Sequence, residues 1–185
     1  MAKIKKKPST YLYPVPVVLV TCGVEKPNIV TLAWVGTVCS DPPMVSIAIR
    51  QERHSHQLIE ETGQFVVNLP GEELLEATDY CGQVSGREVD KFAATGLTPE
   101  PASEVTPPLI AECHVNMECL VRQKLELGSH DLFLGEVVAV HVDEKVLEES
   151  GRRVDYSKAR PFVLTFSEYR GLGDALGNYG FSVKK

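Results

Sequence analysis

A chain of 185 residues, 43% hydrophobic and 24% charged, is long and apolar enough to fold as one compact domain with a real core. Its formal net charge of -6 argues against nucleic acid or an anionic membrane as a partner, because both attract positively charged surfaces. No segment approaches the roughly 20 uninterrupted apolar residues of a membrane-spanning helix. We predict a single domain over residues 1–185, with a basic tail at 1–10 and a C-terminal extension at 167–185.

The first predicted elements are two strands joined by a turn. Valine-rich Pro14–Val24 is typical of a buried strand. Glu25–Asn28 predicts a turn, and Ile29–Val38 a second strand. The Pro42-Pro43 pair should then end the strand pairing, because proline lacks an N–H group and restricts the residue before it.

Met44–Arg50 predicts a third strand with two unlike faces. Its alternate residues Val45, Ile47 and Ile49 should face the core. The positions between them are small or polar, which suits a wall that faces a ligand.

A short helix, another strand and two more helices are predicted next. The first helix, Ser55–Thr62, is amphipathic, with Leu58 and Ile59 facing inward and Gly63 ending it. The elements that follow it are the strand Gln64–Pro70 and the helices Glu72–Gly82 and Arg87–Gly96.

The remaining chain is predicted to be mainly β-structure. After a proline-punctuated loop at Pro99–Leu109, two long strands meet in a hairpin at Gly128-Ser129. These two strands and the last one are Ala111–Leu127, His130–Asp143 and Ala159–Phe166. At least six strands with short connections predict a closed or nearly closed antiparallel β-barrel with helical insertions.

The cysteine pattern bears on the cellular compartment and on metal binding. The five cysteines are odd in number and include no C-x-x-C pair: Cys22, Cys39, Cys81, Cys113 and Cys119. Such a pattern is typical of a reducing cytoplasm, and no two of them have the spacing of zinc or iron–sulfur ligands. We therefore predict a cytoplasmic protein without a metal site.

Three blocks of the sequence resemble one known family. The segment "NIVTLAWVGTVCSDPPMVSIAIRQERHSHQLIEETGQFVVNLP" is similar to the core of the flavin reductase-like proteins, near their flavoredoxin and archaeal ferric-reductase branch. The later "DKFAATGLTPEP" and "SHDLFLGEVVAV" resemble that family's downstream blocks in the same order. The resemblance spans about Tyr13 to Phe166. It implies a mainly β fold, an antiparallel Greek-key split β-barrel with short helical insertions, and FMN as the cofactor.

The phosphate dianion of FMN needs hydrogen-bond donors and positive charge, and a helix N-terminus supplies both. Arg53, His54 and Ser55 stand where the predicted helix begins, and Arg50 lies just before them. We assign all four to the phosphate, with Ser55 as the helix cap. The residues alone also allow a plainer interpretation, a surface arginine pair beside a capping serine.

The flavin ring needs backbone N–H and C=O partners, and the stretch before Pro42 offers free ones. The resemblance implies that the following residues border the flavin: Thr31, Ala33, Trp34, Thr37, Val38, Cys39 and Ser40. Trp34 would either cover the flavin or pack in the core. Cys39 would be either a redox thiol or a small hydrophobic side chain.

Two later blocks contribute three more candidates. Lys91 and Phe92 resemble a family pair whose loop closes over the cofactor, and a lysine near flavin N1 would stabilise the anionic reduced ring. The alternative is a solvated helix lysine. His130 matches a family histidine near the place where reductant or substrate arrives, and its alternative is a turn-capping histidine.

These residues predict an FMN-binding oxidoreductase or electron-transfer flavoprotein of flavoredoxin type, in which no side chain needs to act as acid or base. The alternatives are an NAD(P)H-dependent flavin or ferric reductase, a non-catalytic flavin- or haem-binding module, and a barrel without a cofactor. The resemblance also implies a homodimer with each flavin near the interface, to which Tyr169 or Tyr179 could contribute. The electron partner would be a redox protein or NAD(P)H.

Overall fold

The computed structural model describes residues 1–183, which form twelve β-strands and four α-helices. The strands are β1 (Val15–Pro16), β2 (Val18–Cys22), β3 (Asn28–Leu32), β4 (Val35–Ser40), β5 (Pro43–Ile49), β6 (Gln64–Leu69), β7 (Pro99–Glu100), β8 (Leu109–Ile110), β9 (Val115–Glu126), β10 (Asp131–Val142), β11 (Phe162–Thr165) and β12 (Glu168–Gly171). The helices are α1 (His54–Thr62), α2 (Leu75–Gln83), α3 (Lys91–Thr95) and α4 (Tyr156–Ala159). Short 3₁₀ turns lie at Glu72–Leu74 and Glu144–Val146.

Seven strands form one antiparallel sheet in the order β3-β2-β6-β9-β10-β5-β4. A three-stranded sheet, β1-β11-β12, and a two-stranded ribbon, β7-β8, complete the β-structure of residues 1–183. The prediction of a mainly antiparallel β fold with short helical insertions is confirmed. Among the described residues, no helix is both long and apolar enough to cross a membrane.

The large sheet curls until its two edges come close together. Strands β3 and β4 are its opposite edges, yet only Ala33 and Trp34 separate them in the chain. Three residues of extended backbone span at most about 11 Å, so Leu32 and Val35 cannot lie farther apart than that. The backbone N–H of Ala48 on β5 donates to the carbonyl of Trp34 at 2.9 Å. The sheet is therefore a nearly closed barrel.

The inside of the curl holds the main hydrophobic core, to which β5 contributes Val45, Ile47 and Ile49. Their predicted inward alternation is confirmed. A second buried cluster lies under α2 and α3 and includes Leu19, Ile29 and other residues. A third lies under the proline-punctuated loop. Helices α2 and α3 thus cover the outside of the barrel, whereas α1 contributes Ile59 to the main core.

Several predicted boundaries are wrong for identifiable reasons. Ile29–Val38 is two strands rather than one, because β3 pairs with β2 while β4 pairs with β5. The two prolines do not end the pairing, since Pro43 pairs with Ser40 across the β4–β5 turn. The predicted helix Arg87–Gly96 shrinks to α3, which begins after Asp90, whose carboxylate accepts a bond from the helix.

Other local predictions hold. The α1 helix ends at Gly63 in the left-handed conformation, where φ is 65° and the N–H donates to Ile59. The β9–β10 hairpin turns at Gly128-Ser129 as predicted. Strand β12 was not predicted, although it lies within the C-terminal extension, and how the chain divides into tail, domain and extension stays a prediction.

Candidate functional site

A polar cavity of about 460 Å³ opens where α1 begins, beside β3 and the loop between α2 and α3. We call it the anion cavity. Five of the predicted cofactor residues meet there: Arg50, Arg53, His54, Ser55 and Lys91. The rest of its lining is Asn28, Val30, Glu52, Val84, Ser85, Gly86 and Arg87. Four cations and a single carboxylate make this lining positive, as an anionic ligand would require.

Lys91 is a buried cation without a carboxylate partner among residues 1–183. Only 4% of its surface is exposed, and its Nζ donates to the carbonyl oxygens of Ile29 and Cys81, both at 2.7 Å. Burial is the main cause that lowers the pKa of Lys91. The alternative of a solvated helix lysine is therefore wrong. A buried ammonium is costly without a counter-ion, so this position favours a bound anion.

The cations of the cavity also close the C-terminal end of α2. Cys81 and Gly82 lie in the last turn of that helix, where carbonyl oxygens lack partners inside the helix. Lys91 takes the first of these oxygens, and Arg53 Nη1 lies 3.4 Å from the second. The partial negative charge of the helix end helps to hold both cations in place.

His54 is the first residue of α1, belongs to the cavity lining and has a ring nitrogen that is unpaired within the described chain. Its Nδ1 is buried and has no hydrogen-bond partner in residues 1–183. Desolvation, followed by the charges of Arg87 and Lys91, lowers the pKa of His54, so the imidazole is neutral at pH 7. Buried polar atoms are normally paired, and an oxygen of a bound anion would satisfy an Nδ1–H donor here.

Ser55 does not cap the helix, contrary to the prediction. The cap is Arg53, which makes no side-chain capping bond, and Ser55 is the second residue of α1. The Ser55 hydroxyl is buried instead, where its oxygen accepts a bond from Asn28 Nδ2 at 2.7 Å. The first amides of α1 therefore have no side-chain acceptor from the cap and are available to an anion.

The loop between α2 and α3 supplies cavity residues that the sequence analysis missed. Arg87 donates to the carbonyl oxygen of Glu52 at 3.0 Å and so holds the segment before α1. A Cβ atom at Gly86 would overlap the side-chain amide of Asn28, which makes glycine necessary for this close approach. The run Ser85-Gly86-Arg87 has the residue types of an anion-binding loop, but it lies between the two predicted helices, with only Arg87 assigned to one of them.

An aromatic pair lies on the Arg50 side of the cavity. The rings of Trp34 and His130 have centroids 4.6 Å apart. Trp34 is 43% exposed, so the alternative that it packs in the core is wrong. Burial, followed by the charge of Arg50, lowers the pKa of His130. Asp131 pairs with Ile49 across β10 and β5, which places His130 beside Arg50. The His130 Nδ1 also lies 2.9 Å from the Ser129 hydroxyl, so the turn-capping alternative stays open.

The other predicted flavin neighbours lie outside the anion cavity. Thr31 donates to the carbonyl of Thr78 at 2.5 Å, Ala33 is half-buried, and Phe92 packs in the cluster beneath α2 and α3. Cys39 is half-buried, while Val38 and Ser40 are exposed on β4. Whether any of them borders a cofactor stays a prediction.

Strand β4 also forms one wall of a second, apolar groove. This groove has a volume of about 430 Å³, and its lining includes Val35, Gly36, Thr37, Tyr156, Phe162 and Leu172. Thr37, a predicted flavin neighbour, thus lies in the apolar groove rather than the anion cavity. No three His, Cys, Asp or Glu side chains of residues 1–183 are arranged to hold a metal ion.

Comparisons with known proteins fit this fold. The sequence model of the family described as "Flavin reductase like domain" matches residues 10–173. The flavoredoxin of Desulfovibrio vulgaris (Miyazaki F) is similar with a TM-score of 0.91 and 33% identity, and the match covers 100% of both chains. The flavoredoxin from Methanosarcina acetivorans gives a TM-score of 0.91 and 34% identity, over 98% of this chain and 97% of that one.

A third structure bears on the fold alone. A protein from Shewanella frigidimarina with a split barrel domain matches with a TM-score of 0.80 and 22% identity, over 89% of this chain and 85% of that chain. Together with the curled sheet, this likeness confirms the predicted split β-barrel.

The anion cavity can be tested with inorganic phosphate. Phosphate should raise the Tm of the wild-type protein at pH 7, because a ligand that binds only the folded state stabilises it. Lys91→Met should raise the Kd for phosphate about tenfold, since a charge-assisted bond worth about 1.4 kcal/mol is lost. Thermal unfolding across a phosphate series at constant ionic strength measures both.

Each variant is compared with its own phosphate-free Tm, so a change in basal stability does not affect the result. Lys145→Met is the matched control, because the Lys145 side chain is 86% exposed and lies outside the cavity lining. An equal phosphate response in Lys91→Met and wild type would contradict the assignment.

Proposed function

This chain belongs to the flavin reductase-like domain family, and we propose that it is a flavoprotein of flavoredoxin type that passes electrons through non-covalently bound FMN. The family and the structural neighbours support a flavin-related oxidoreductase. The observation that carries the proposal is the anion cavity, with a buried ammonium lacking a carboxylate partner within residues 1–183 and an unpaired imidazole nitrogen at a helix start. The predicted cytoplasmic location stays a prediction.

The cavity residues fit the phosphate end of FMN. Arg53, Lys91 and the first amides of α1 would bind the phosphate oxygens, and His54 Nδ1 would donate to one of them. The position of Lys91 among these groups favours the phosphate end over the ring nitrogen N1. FMN, when bound, supplies the redox chemistry, and the protein supplies position and charge.

The Trp34 and His130 pair would border the ring end of the cofactor. Trp34 is exposed enough to offer a flat surface to a ring, and His130 stacks against its other side. The cofactor would therefore extend from the start of α1, past Arg50, to the pair of Trp34 and His130.

A neighbouring cavity supports FMN rather than FAD. It has a volume of about 530 Å³ and shares Asn28, His54, Gly86 and Arg87 with the anion cavity. Its lining also contains three carboxylates, those of Glu25, Glu88 and Asp90, against two cations, Lys26 and Arg87. The carboxylates outnumber the cations in this neighbouring cavity, so its lining would disfavour the second phosphate of a dinucleotide.

The purified protein should be yellow and should release FMN on denaturation. Arg53→Ala combined with His54→Ala should weaken FMN binding by about 2–4 kcal/mol, which is about 30-fold to 1,000-fold in Kd, because charge-assisted phosphate bonds are lost. Fluorescence titration of the flavin-free protein gives the Kd, and mass spectrometry of the released chromophore identifies it.

Arg152→Ala is the matched control, since this exposed arginine lies outside the cavity lining. Unchanged affinity in the double variant would place the phosphate elsewhere. Release of FAD or haem, or a colourless protein that does not take up FMN, would sink the proposal itself.

The electron donor distinguishes the proposed role from a nucleotide-dependent reductase. We expect neither NADH nor NADPH to bleach the flavin absorbance within seconds in anaerobic stopped-flow mixing, because a flavoredoxin-type protein exchanges electrons with a protein partner. Dithionite should bleach it completely, which shows that the flavin is reducible. Fast bleaching by either nucleotide would favour the NAD(P)H-dependent flavin or ferric reductase.

A homodimer with each flavin near the interface is also proposed. Strand β4 is an unpaired edge of the large sheet, and it exposes Val38 next to the apolar groove. Large exposed apolar side chains crowd the C-terminal segment as well: Leu172, Leu176, Tyr179 and Phe181. Such apolar surface is typical of a contact with another molecule. Tyr169, by contrast, donates to Asp79 at 2.9 Å within its own chain.

Sedimentation velocity should give twice the mass of one chain. Val38→Asp should shift the population toward monomer, because a carboxylate would be buried at the proposed interface. Leu127→Asp, at an exposed hairpin position, serves as the control. A wild-type monomer at micromolar concentration would exclude the dimer without bearing on FMN binding.

A further inference from the structure

A second polar cluster lies against the segment that forms the anion cavity but does not line it. His56 on α1 and Asp131 at the start of β10 are 6% and 1% exposed. His56 Nε2 lies 2.8 Å from Asp131 Oδ2, and the His56 ring packs edge-on against Phe133 with centroids 5.2 Å apart. Neither His56 nor Asp131 belongs to the cavity lining.

The Asp131 carboxylate holds the cavity segment on both sides. Its Oδ1 accepts a bond from Gln51 Nε2 at 2.9 Å, and Gln51 lies two residues before the helix cap Arg53. Its Oδ2 binds His56, which lies two residues after His54. One buried carboxylate thus connects both ends of the segment 51–56, which contains Arg53, His54 and Ser55 of the residues assigned to the phosphate.

Asp131 has a cationic neighbour inside the cluster, which it shares with Glu60 and Glu126. Lys124 Nζ on β9 lies 3.6 Å from Asp131 Oδ2 and 2.5 Å from Glu60 Oε1. The hydrogen bond from Gln51 is the main cause that lowers the pKa of Asp131, with help from His56 and Lys124, while burial opposes it. The lowered pKa favours the ionised carboxylate, and its two oxygens bind Gln51 and His56 outside the cavity lining.

We propose that Asp131 is a positioning residue that makes the site select a flavin bearing a 5′-phosphate over one without it. It does so by fixing Gln51 and His56, which set the geometry of Arg53, His54 and the first amides of α1. This inference rests on the proposed function. At the ring end, Trp34 and His130 receive no side-chain bond from this cluster. His130 precedes Asp131 in the chain, but Asp131→Asn leaves that backbone in place, so affinity for the ring itself should change little.

The selectivity for phosphate is measured by comparing FMN with riboflavin. The wild-type protein should bind FMN at least about 100-fold more tightly than riboflavin, because the phosphate makes several charge-assisted bonds. Asp131→Asn preserves shape but removes the charge and one acceptor. It should reduce this preference about tenfold through a weaker Kd for FMN, with the Kd for riboflavin unchanged within about twofold.

The ratio of the Kd for riboflavin to the Kd for FMN distinguishes a positioning role of Asp131 from a general effect on stability. A merely destabilised protein loses Tm, or loses affinity for both flavins alike, and keeps its preference. Glu118→Gln is the matched control, because Glu118 is also fully buried and ionic, paired with His141 at 2.6 Å, but anchors the loop at 103–105 instead. Its Tm should fall, and its preference for FMN should stay that of wild type.

Gln51→Ala is a second variant that tests the same proposal if Asp131→Asn does not fold. Gln51 is exposed and contributes one bond to the cluster, so its loss should reduce the preference about threefold. A wild-type preference in either folded variant would overturn the positioning role and leave FMN binding intact. A wild-type protein that binds both flavins equally would instead overturn the phosphate assignment, and the inference with it.

Discussion

Burying the ammonium group of Lys91 costs free energy that two backbone carbonyls return only in part, because hydration of an ion is worth more than two neutral acceptors. The fold accepts this cost at the meeting point of three elements: α3 supplies the lysine, β3 the carbonyl of Ile29, and the end of α2 the carbonyl of Cys81. In a partly desolvated cavity, each charge acts more strongly on its neighbours than it would in water. An anion bound there would compensate a charge that the described part of the chain leaves unbalanced.

The way the barrel closes determines which side chains lie at the same end of the barrel as Lys91. Because only Ala33 and Trp34 connect the two edges of the large sheet, the chain must pass directly from β3 to the β5 side. That short passage places the Trp34 ring against His130, at the mouth of the β9–β10 hairpin. Strand β5 then runs straight into the segment that begins α1. A covalent connection thus brings a flat aromatic surface and the cation-lined start of α1 to the same end of the barrel.

Local rules predicted the parts of the structure that depend on neighbouring residues. Alternation placed Val45, Ile47 and Ile49 in the core, and the left-handed Gly63 ended α1 where expected. The break before β4 could not be read from the sequence, because both halves of that apolar run have the same strand-like composition and only their partners differ. The fold class and the main cluster of cavity residues were therefore predictable, whereas the strand connections inside the barrel were not.

Contacts between residues far apart in the chain explain the remaining misses. Ser55 has the sequence position of a cap but is buried by Asn28, 27 residues away, and Asp131 reaches His56 across 75 residues. Local patterns contain no information about such pairs. The loop at 85–87 was missed for a similar reason, because its role depends on its contacts with Glu52 and Asn28, which are distant in the chain.

Burial and nearby charges together set the pKa values of the titratable groups of the site. Burial is the main cause that lowers the pKa of His54, His130 and Lys91, and it disfavours a charge of either sign. The charges of Arg87 and Lys91 near His54, and of Arg50 near His130, add a positive field. Such a field favours any change that adds negative charge. In the proposed function, this field would stabilise the phosphate when the cofactor binds, and the ring when reduction makes it anionic. Cofactor retention and ease of reduction would then have the same origin.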